Sequence, residues 1–292
     1  MEIPLDLART LDAVVHAGSL DAAADRLSIT PSAVSQRLKA LEARIGRVLL
    51  VRSKPVRATP AGEAVVRLAR QVASLEADAR AALGLDAAGP AEVSLGVNAD
   101  SLGTWFLPAL APLAGEVLFD LHRDDQDHTA ALLESGTVAA AVTSQRAPVA
   151  GCTVRPLGAM RYLAACAPAF AERWFPRGAD ADALSRAPVV DFDRADDLQS
   201  LHLAARGVDP AAPPRHRVPS SHDFGRAIGF GFGWGLLPEH EVADAGDRLV
   251  LLGGPPEDVH LYWQRWKLAS AVLARVEDAV VVGARGVLRR GS

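Results

Sequence analysis

The chain has 292 residues, of which 49% are hydrophobic and 23% are charged. This length and this apolar content exclude an intrinsically disordered chain and indicate two or three domains with their own cores. The net charge of −4 excludes a uniformly basic nucleic-acid-binding protein, but residues 1–60 carry +3 and residues 86–292 carry −7. A basic N-terminal segment on an acidic body is typical of a DNA-binding domain joined to a separate sensing domain.

The cysteines and the N-terminus indicate the cellular setting. Cys152 and Cys166 lie 14 positions apart without a CxxC pattern, which disfavours both a disulfide framework and a zinc knuckle. The N-terminus carries acids where a secretory signal peptide has a basic start. No apolar run reaches the roughly 18–20 residues that span a bilayer. We therefore expect a cytoplasmic protein that contacts no membrane and needs no cofactor.

The N-terminal segment is predicted to form three short helices. The first covers residues 5–16, and residues 19–47 form two further helices around a short turn. Thr30 or Ser32 can cap the third helix, and Pro31 suits its first turn. Two helices joined by a tight turn are the helix-turn-helix arrangement, although an ordinary helical hairpin shows the same pattern.

The third helix has one apolar and one polar face. Its apolar residues recur at helical spacing and are predicted to face inward: Val34, Leu38, Leu41 and Ile45. The hydrogen-bonding and basic residues around its start suit base edges and phosphates in a major groove: Thr30, Ser32, Ser35, Gln36, Arg37 and Lys39. A solvated polar face is the alternative interpretation.

Residues 49–59 are predicted to form a short β-hairpin, the wing of a winged helix-turn-helix. Pro55 marks its turn, and three basic residues belong to it: Arg52, Lys54 and Arg57. Such residues contact the phosphates that flank the groove and add affinity with little sequence information. A solvated charged loop is the alternative for this segment.

A long helix is predicted from Thr59 or Pro60 to about Leu83. Its apolar positions are spaced alternately three and four residues apart: Val65, Leu68, Val72, Leu75, Ala79 and Ala82. This heptad seam is typical of a coiled coil, so we expect a homodimer or homotetramer that pairs two recognition helices. The alternative is that the helix packs on its own chain.

Beyond a linker at residues 86–90, strands and helices alternate. Strands are predicted at residues 92–97, 117–122 and 139–143, at two runs within 153–167 broken near Gly158, and at 189–192, 216–218, 234–237 and 261–266. Helices are predicted at residues 105–113, 126–135, 196–206, 221–229 and 268–288. The first strands and helices alternate in a βαβαβ order, which indicates a parallel sheet with helical crossovers.

Two sets of motifs carry a family resemblance. The first set is AADRL at 23–27, TPSAVSQRLKxLE at 30–42 and IGxxLLVR at 45–52. The second is LGVNADSLGTWFLPALAPL at 95–113, DDQDHTAALLESG at 124–136, APVVDFDxxDD at 187–197 and LYWQRW at 261–266. The chain resembles the LysR-type transcriptional regulators, and within them the LysG/ArgP-like branch, which controls basic amino-acid export.

The resemblance implies an α/β fold with an N-terminal winged helix-turn-helix, a long linker helix and a two-lobed effector domain like a periplasmic binding protein. The expected boundaries are 1–60 for the DNA-binding domain, 61–89 for the linker and dimerisation helix, 90–161 and 267–292 for lobe I, and 162–266 for lobe II. The resemblance also implies an allosteric transcriptional regulator that binds double-stranded promoter DNA and responds to lysine or arginine. A basic amino-acid exporter gene would be its target, and RNA polymerase is a further candidate partner.

Ligands of open α/β sheets bind beyond the carboxyl ends of strands, at the helix N-termini that follow. Backbone N–H groups of residues 101–104 would bind a carboxylate, and an acidic side chain would bind a cationic tip. The effector-binding candidates are Asn98, Asp100, Ser101, Thr104, Trp105, Asp125, Thr143, Ser144, Gln145, Asp191, Ser221 and Asp223. Among the acids, which also include Asp124, we favour Asp125 and Asp191. Helix capping, solvated acids and, for Trp105, a core position are the alternatives.

Three other patterns do not support chemistry. Residues 122–128 contain metal-capable groups at the wrong spacing for a zinc helix, and the alternating glycines of 229–235 follow a helix rather than a strand. Residues 220–223 contain Ser, His and Asp, but adjacent residues cannot form a catalytic triad, and no GxSxG motif is present. We therefore expect neither a catalytic nor a metal site. A two-lobed solute-binding protein or an enzyme with an accessory helical domain is the alternative function.

Overall fold

The N-terminal helices begin and end close to the predicted positions. The computed structural model describes residues 2–51, 53–84, 90–123 and 129–290. The first three helices are α1 (Leu5–Ala17), α2 (Leu20–Leu27) and α3 (Pro31–Ile45). Gly18 ends α1 in the left-handed region at φ 70°. The hydroxyls of Ser19 and Thr30 accept hydrogen bonds of 3.2 Å from Ala22 N and Ala33 N, so they cap α2 and α3.

A hairpin and a long helix complete the N-terminal unit. Strands β1 (Leu50–Val51) and β2 (Arg57–Ala58) pair antiparallel, which confirms the predicted hairpin. Helix α4 (Pro60–Ala82) follows and packs its first half against α1. Leu11 and Leu41 are fully buried in the resulting core, which is separate from the cores of the C-terminal half.

The heptad seam of α4 has two different environments. Val65 is buried in the N-terminal core, and Leu68 and Val72 are half-buried. Leu75 is 41% exposed, and the two alanines that end the seam are exposed as well. The first half of the seam therefore packs on its own chain, as the alternative interpretation held, and the second half remains open to a partner.

Most strands of the C-terminal half belong to one seven-stranded sheet. The strands are β3 (Ala91–Val97), β4 (Val117–Arg123), β5 (Ala140–Thr143), β6 (Cys152–Cys166), β7 (Val189–Asp191), β8 (Arg215–Arg217), β9 (Gly235–Pro238), β10 (Val250–Leu251) and β11 (Glu257–Trp266). The order in the large sheet is β10-β6-β11-β5-β3-β4, with β9 also on β6, and β7 and β8 form a separate pair. β3 lies between β4 and β5 and parallel to both, which confirms the predicted parallel unit.

Two long strands connect two lobes. β6 and β11 pair antiparallel along their length, and the C-terminal end of β6 also carries β9 and β10. We call the part on β3, β4 and β5 lobe I, and the part on β7 to β10 lobe II. The prediction of two separate runs near Gly158 was wrong, because β6 is continuous. Its pairing with β11 shifts register between Leu261 and Tyr262, so the predicted break is a bulge.

Helices connect the strands of this half. They are α5 (residues 99–113, with a wider π-turn at Leu102–Phe106), α6 (Thr129–Glu134), α7 (Pro168–Trp174), α8 (Ala181–Arg186), α9 (Leu198–Ala205), α10 (Ser221–Gly229), α11 (Glu239–Ala245) and α12 (Ala271–Val287). Sequence periodicity missed α7, α8 and α11, because one or two turns are shorter than the window in which helical periodicity is recognisable. No described helix is both long and apolar enough to cross a membrane.

We predict that Thr30→Ala lowers the free energy of unfolding of the N-terminal unit by about 1 kcal/mol, because it removes the cap of α3. Ser32→Ala is the matched control, since Ser32 is exposed in the first turn of α3 and Thr30 already provides the cap. Its effect should stay within about 0.5 kcal/mol. Urea titrations followed by circular dichroism measure both variants, and equal losses would contradict the capping role.

Candidate functional site

The polar face of α3 presents most of the predicted DNA-contacting residues to solvent. Ser32, Gln36 and Lys39 are exposed, and Ser35 is half-buried. Arg37 differs, because its Nη1 donates a hydrogen bond of 3.4 Å to Thr10 Oγ1 on α1. The face can therefore offer an amide, hydroxyls and an ammonium to a groove, whereas the Arg37 guanidinium lies against its own domain. The DNA-contacting roles themselves stay predictions.

The wing adds further positive charge beside α3. Lys54 and Arg57 are exposed, and neither has a carboxylate partner within the described residues. Arg52, the third predicted wing residue, lies outside the described residues. Unpaired cations at the edge of a recognition helix suit phosphate contacts that depend on salt.

A cavity of about 240 Å³ lies between the lobes. Lobe I contributes the end of β3 and the start of α5, and lobe II contributes β9, the start of α10 and the segment after β7. Its lining is Asn98, Ala99, Asp100, Arg123, Tyr162, Phe192, Asp193, Ala195, Asp196, Leu198, Gln199, Ser221, Phe224, Leu236, Leu237, Pro238 and Glu241. Pockets for drug-sized ligands measure about 300–1,000 Å³, so this cavity suits a smaller ligand. We call it the cleft.

Asp100 is the carboxylate at the junction of the lobes. It lies in the first turn of α5, directly after the buried strand β3. Tyr162, on the strand that joins the lobes, donates a hydrogen bond of 2.6 Å from its hydroxyl to Asp100 Oδ2. Ser221 of lobe II donates one of 3.4 Å to Asp100 Oδ1. Burial raises the pKa of Asp100 above its ordinary value, although these two hydrogen bonds act in the opposite direction.

Two buried oxygens in the cleft lack a hydrogen-bond donor. Asn98 is only 4% exposed, and its Oδ1 accepts no hydrogen bond from any described residue. Gln199 is 1% exposed; its Nε2 donates to Val190 O and Asp196 Oδ2, but its Oε1 accepts none within the same part of the chain. A buried acceptor without a donor is unfavourable by about 1–3 kcal/mol. The cleft therefore favours a ligand that brings N–H donors.

The charges of the cleft are mostly negative. Four of its lining residues are acids: Asp100, Asp193, Asp196 and Glu241. Arg123 is the single cation of the described lining, and its guanidinium lies 5.9 Å from the centre of the Phe192 ring. A cleft with several carboxyls and one guanidinium suits a ligand with a cationic end and a carboxylate.

Glu241, on α11, has a raised pKa. Burial, together with the charges of Asp100 and Asp244, raises its pKa from 4.5 to about 7. The carboxyls of the cleft therefore resist ionising together at neutral pH when no cation lies between them. A bound cation would favour their charged forms.

The structure places several predicted effector-binding residues elsewhere. Ser101 is fully buried, and Thr104 donates its hydroxyl hydrogen to Asp100 O within α5. Trp105 is 3% exposed and packs edge-on against Phe106, so it occupies the core position that was the alternative. None of the three lines the cleft.

The favoured acid Asp191 is not in the cleft either. It is buried, and both its oxygens accept hydrogen bonds of 2.7 and 2.8 Å from Arg215 Nη1. This expectation is corrected, because a carboxylate neutralised by its own guanidinium has no free charge for a ligand. Asp223 is exposed and pairs with Arg226 at 2.9 Å outside the cleft lining. Asp125, with Asp124, lies outside the described residues.

The segment after β5 lies outside the cleft lining. Thr143 is buried, and its Oγ1 accepts a hydrogen bond of 3.0 Å from Gln145 N. Gln145 donates its amide to Ala147 O, and Ser144 is half-buried. Of the predicted set, the cleft brings together Asn98, Asp100 and Ser221.

Sequence reasoning missed the side chains that complete the cleft. The missed lining residues with polar or aromatic groups are Arg123, Tyr162, Phe192, Asp193, Asp196, Gln199, Phe224 and Glu241. The motif APVVDFDxxDD contains three of them, so the sequence indicated this segment, but the favoured acid Asp191 is not among the lining residues. Asp196 accepts hydrogen bonds from Phe192 N and Leu198 N, which holds its carboxylate at the start of α9.

No group of three His, Cys, Asp or Glu side chains close enough to hold a metal ion occurs in the part of the chain that is described.

Family comparisons agree with this architecture. Residues 5–63 match the bacterial regulatory helix-turn-helix proteins of the lysR family, and residues 89–281 match the LysR substrate binding domain. The Corynebacterium glutamicum protein named lysine export transcriptional regulatory protein LysG is 44% identical over 287 residues, which are 96% of this chain and 97% of that protein.

Two solved structures are similar over the full length. ArgP from Mycobacterium tuberculosis has a TM-score of 0.89 and 43% identity, with 98% of each chain covered. Full-length LysG from Corynebacterium glutamicum with bound effector Arg has a TM-score of 0.80 and 41% identity, and the match covers 98% of this chain and 99% of that one.

We predict that Glu241→Gln changes how stability depends on pH. A folded-state pKa of about 7 against 4.5 means that the contribution of Glu241 to stability is full below about pH 4.5 and is lost as pH rises to about 7. The melting temperature of the variant, relative to the unsubstituted chain, should therefore rise between pH 5 and pH 8. Differential scanning fluorimetry at both pH values measures this shift, and parallel curves would show that the carboxyl ionises normally.

Proposed function

The chain belongs to the LysR family of DNA-binding transcriptional regulators, and we propose that its effector is a basic amino acid, arginine or lysine. It is a regulator and not an enzyme. The observation that carries the proposal is the lining of the cleft between the lobes, which includes four acids, one guanidinium and two residues with donor-deficient amide oxygens. The arginine bound to the similar LysG structure supports the same ligand class.

The chemistry of the cleft matches each end of such a ligand. The guanidinium or ammonium tip would lie among Asp100, Asp196 and Glu241, where charge-assisted hydrogen bonds are strongest. The α-amino group would donate to the amide oxygens of Asn98 or Gln199. The α-carboxylate would pair with Arg123, rather than with the N–H groups of residues 101–104 that the sequence suggested.

Ligand binding would favour one arrangement of the lobes. Asp100 of lobe I and Ser221 of lobe II are already joined by a hydrogen bond across the cleft. A ligand that contacts both lobes binds their closed arrangement more tightly than an open one, and this difference in affinity shifts the population. In this proposal the shift changes the angle between paired subunits and hence the spacing of their recognition helices.

The N-terminal unit would deliver that change to DNA. α3 would enter the major groove, and Lys54 and Arg57 would contact flanking phosphates. The exposed second half of the α4 seam supports a homodimer or homotetramer, which would match a two-fold operator. The similar Corynebacterium glutamicum protein is a lysine export transcriptional regulatory protein, which supports an exporter gene as the target. In this proposal the chain acts in the cytoplasm, and RNA polymerase is a candidate partner at the promoter.

We predict that Asp100→Asn weakens arginine binding by roughly ten- to a hundredfold, since hydrogen bonds to charged groups contribute about 1.5–3 kcal/mol. Asp182→Asn is the matched control, because Asp182 is exposed and pairs only with Arg186 on its own helix. Isothermal titration calorimetry with arginine, lysine and the neutral analogue citrulline measures the effect. Arginine affinity that is equal in both variants, or citrulline binding as tight as arginine, would reject the cationic subsite.

We predict that Gln36→Ala costs about 1–3 kcal/mol of operator binding, because a bidentate amide contact to a base is worth that much. Gln71→Ala is the control, since it removes the same side chain from α4, away from the recognition helix. Fluorescence anisotropy with DNA from upstream of the gene, at two salt concentrations, gives the affinities. A steep loss of operator affinity at the higher salt concentration would support phosphate contacts. The absence of DNA binding under any condition would favour the solute-binding alternative.

A further inference from the structure

Three polar contacts within the described residues join the linker helix α4 to lobe I. Arg67 Nη1 donates a hydrogen bond of 3.2 Å to Glu134 O, at the end of α6. Arg70 Nη1 donates one of 2.8 Å to Gly136 O, three residues further along α4 and two residues beyond Glu134. Near the other end of α4, Ser270 donates its hydroxyl hydrogen to Asp78 Oδ1 at 3.2 Å. We call this set of contacts the α4–lobe I contact.

Arg70 also holds the DNA-binding unit. Its Nε donates a hydrogen bond of 2.6 Å to Asp12 Oδ1 on α1, and both side chains are largely buried. One guanidinium therefore connects α1 to the backbone of lobe I. Arginine suits this task because its planar fork presents several donors in fixed directions, whereas lysine presents a single point charge.

The backbone of lobe I is shaped for this contact. Gly136 has φ +73°, a conformation that favours glycine, and a Cβ there would lie 2.7 Å from Arg67 Cα. Gly136 belongs to the segment that connects α6 to β5. β5 pairs with β3, whose carboxyl end contributes to the cleft. A change in lobe I on ligand binding can therefore reach α4 through Glu134 and Gly136.

We propose that Arg70 is a positioning residue for the regulatory response: it fixes the DNA-binding unit to lobe I, so that a change in the cleft moves the recognition helix. This inference rests on the proposed function, because it names the residue through which effector binding acts. Without Arg70, the chain would still bind effector and would still bind DNA. It would lose the dependence of one on the other.

A native thiol reports on the α4–lobe I contact. Cys152 packs against the lobe I cluster that contains Leu133, Val138 and Trp266, and it is half-buried. Burial raises its pKa to about 11, and the charge of Arg67 on α4 acts on the thiol in the opposite direction. Cys152 therefore lies near the α4–lobe I contact, whereas Cys166, the other cysteine, is fully buried. We expect separation of α4 from lobe I to expose Cys152 further.

The experiment compares Arg70→Met with Arg80→Met in the full-length chain. Methionine keeps the apolar stem of Arg70 and removes its donors, and Arg80 is exposed on the same helix without a described partner. Gly136→Ala is a second variant, which separates the same surfaces by steric overlap. For each protein, maleimide labelling of Cys152, arginine affinity, and operator affinity with and without arginine are measured; Cys152→Ser shows that the label reports this thiol.

The expected result has two parts. Labelling of Cys152 should be about fivefold faster or more in Arg70→Met and Gly136→Ala, and unchanged in Arg80→Met. In allosteric proteins, one ligand typically changes the affinity for the other by about 5–150-fold. In Arg70→Met, the ratio of the operator affinity with arginine to that without arginine should fall to between about one half and two. The affinity for arginine should stay within about threefold of that of the unsubstituted chain. A residue with a merely structural role would not lose the coupling while effector affinity is retained.

Two outcomes would overturn the proposal. Unchanged labelling in both Arg70→Met and Gly136→Ala would show that these residues do not hold α4 on lobe I. Faster labelling with undiminished coupling would show that the contact exists but does not transmit the response. Failure of the proposed function is distinguishable, since the unsubstituted chain would then bind no basic amino acid while the labelling result still decides the contact.

Discussion

The accumulation of carboxyl groups around Asp100 is the constraint on which the effector half of the molecule depends. Asp100 sits where β3 ends, and it is joined to the connecting strand by Tyr162 and to lobe II by Ser221. Burial raises the pKa of both Asp100 and Glu241, so the ligand-free cleft holds these charges unfavourably. In the proposed function, a ligand cation would relieve this repulsion between the lobes. Ligand affinity and lobe arrangement would then depend on the same electrostatic cluster.

The two halves of the chain separate opposite charges. The N-terminal unit has its own apolar core and keeps its positive groups outside, on α3 and the wing. The C-terminal half collects acids in the cleft between its lobes. α4 belongs to both halves, because its start completes the N-terminal core and its side chains bond to lobe I. A long helix with this dual attachment is a rigid connection rather than a flexible tether.

Local sequence was a reliable guide wherever a segment is long or its ends have their own capping groups. Helices α1 to α4 were predicted within about two residues, because Gly18, Ser19 and Thr30 mark ends that need no distant partner. The parallel β3–β5 unit followed from alternation of strand and helix. The continuity of β6 was missed, since the register shift opposite Leu261 preserves pairing across a glycine that looked like a break. Short helices such as α7 were not predicted, because one or two turns are too few to show a helical period in the sequence.

Taken alone, the residue order determined the α/β architecture of this protein, the polar and basic face of α3, and the presence of an acidic segment at the end of a strand. Only the tertiary structure decided which acids form that site. Asp191 and Asp196 are five positions apart in one motif, yet Asp191 is neutralised by Arg215 from a neighbouring strand and Asp196 lines the cleft. The approach of Glu241 to Asp100 and of Arg70 to Gly136 likewise joins residues far apart in the chain. Such pairings arise from the packing of whole elements, and no local pattern of side chains contains them.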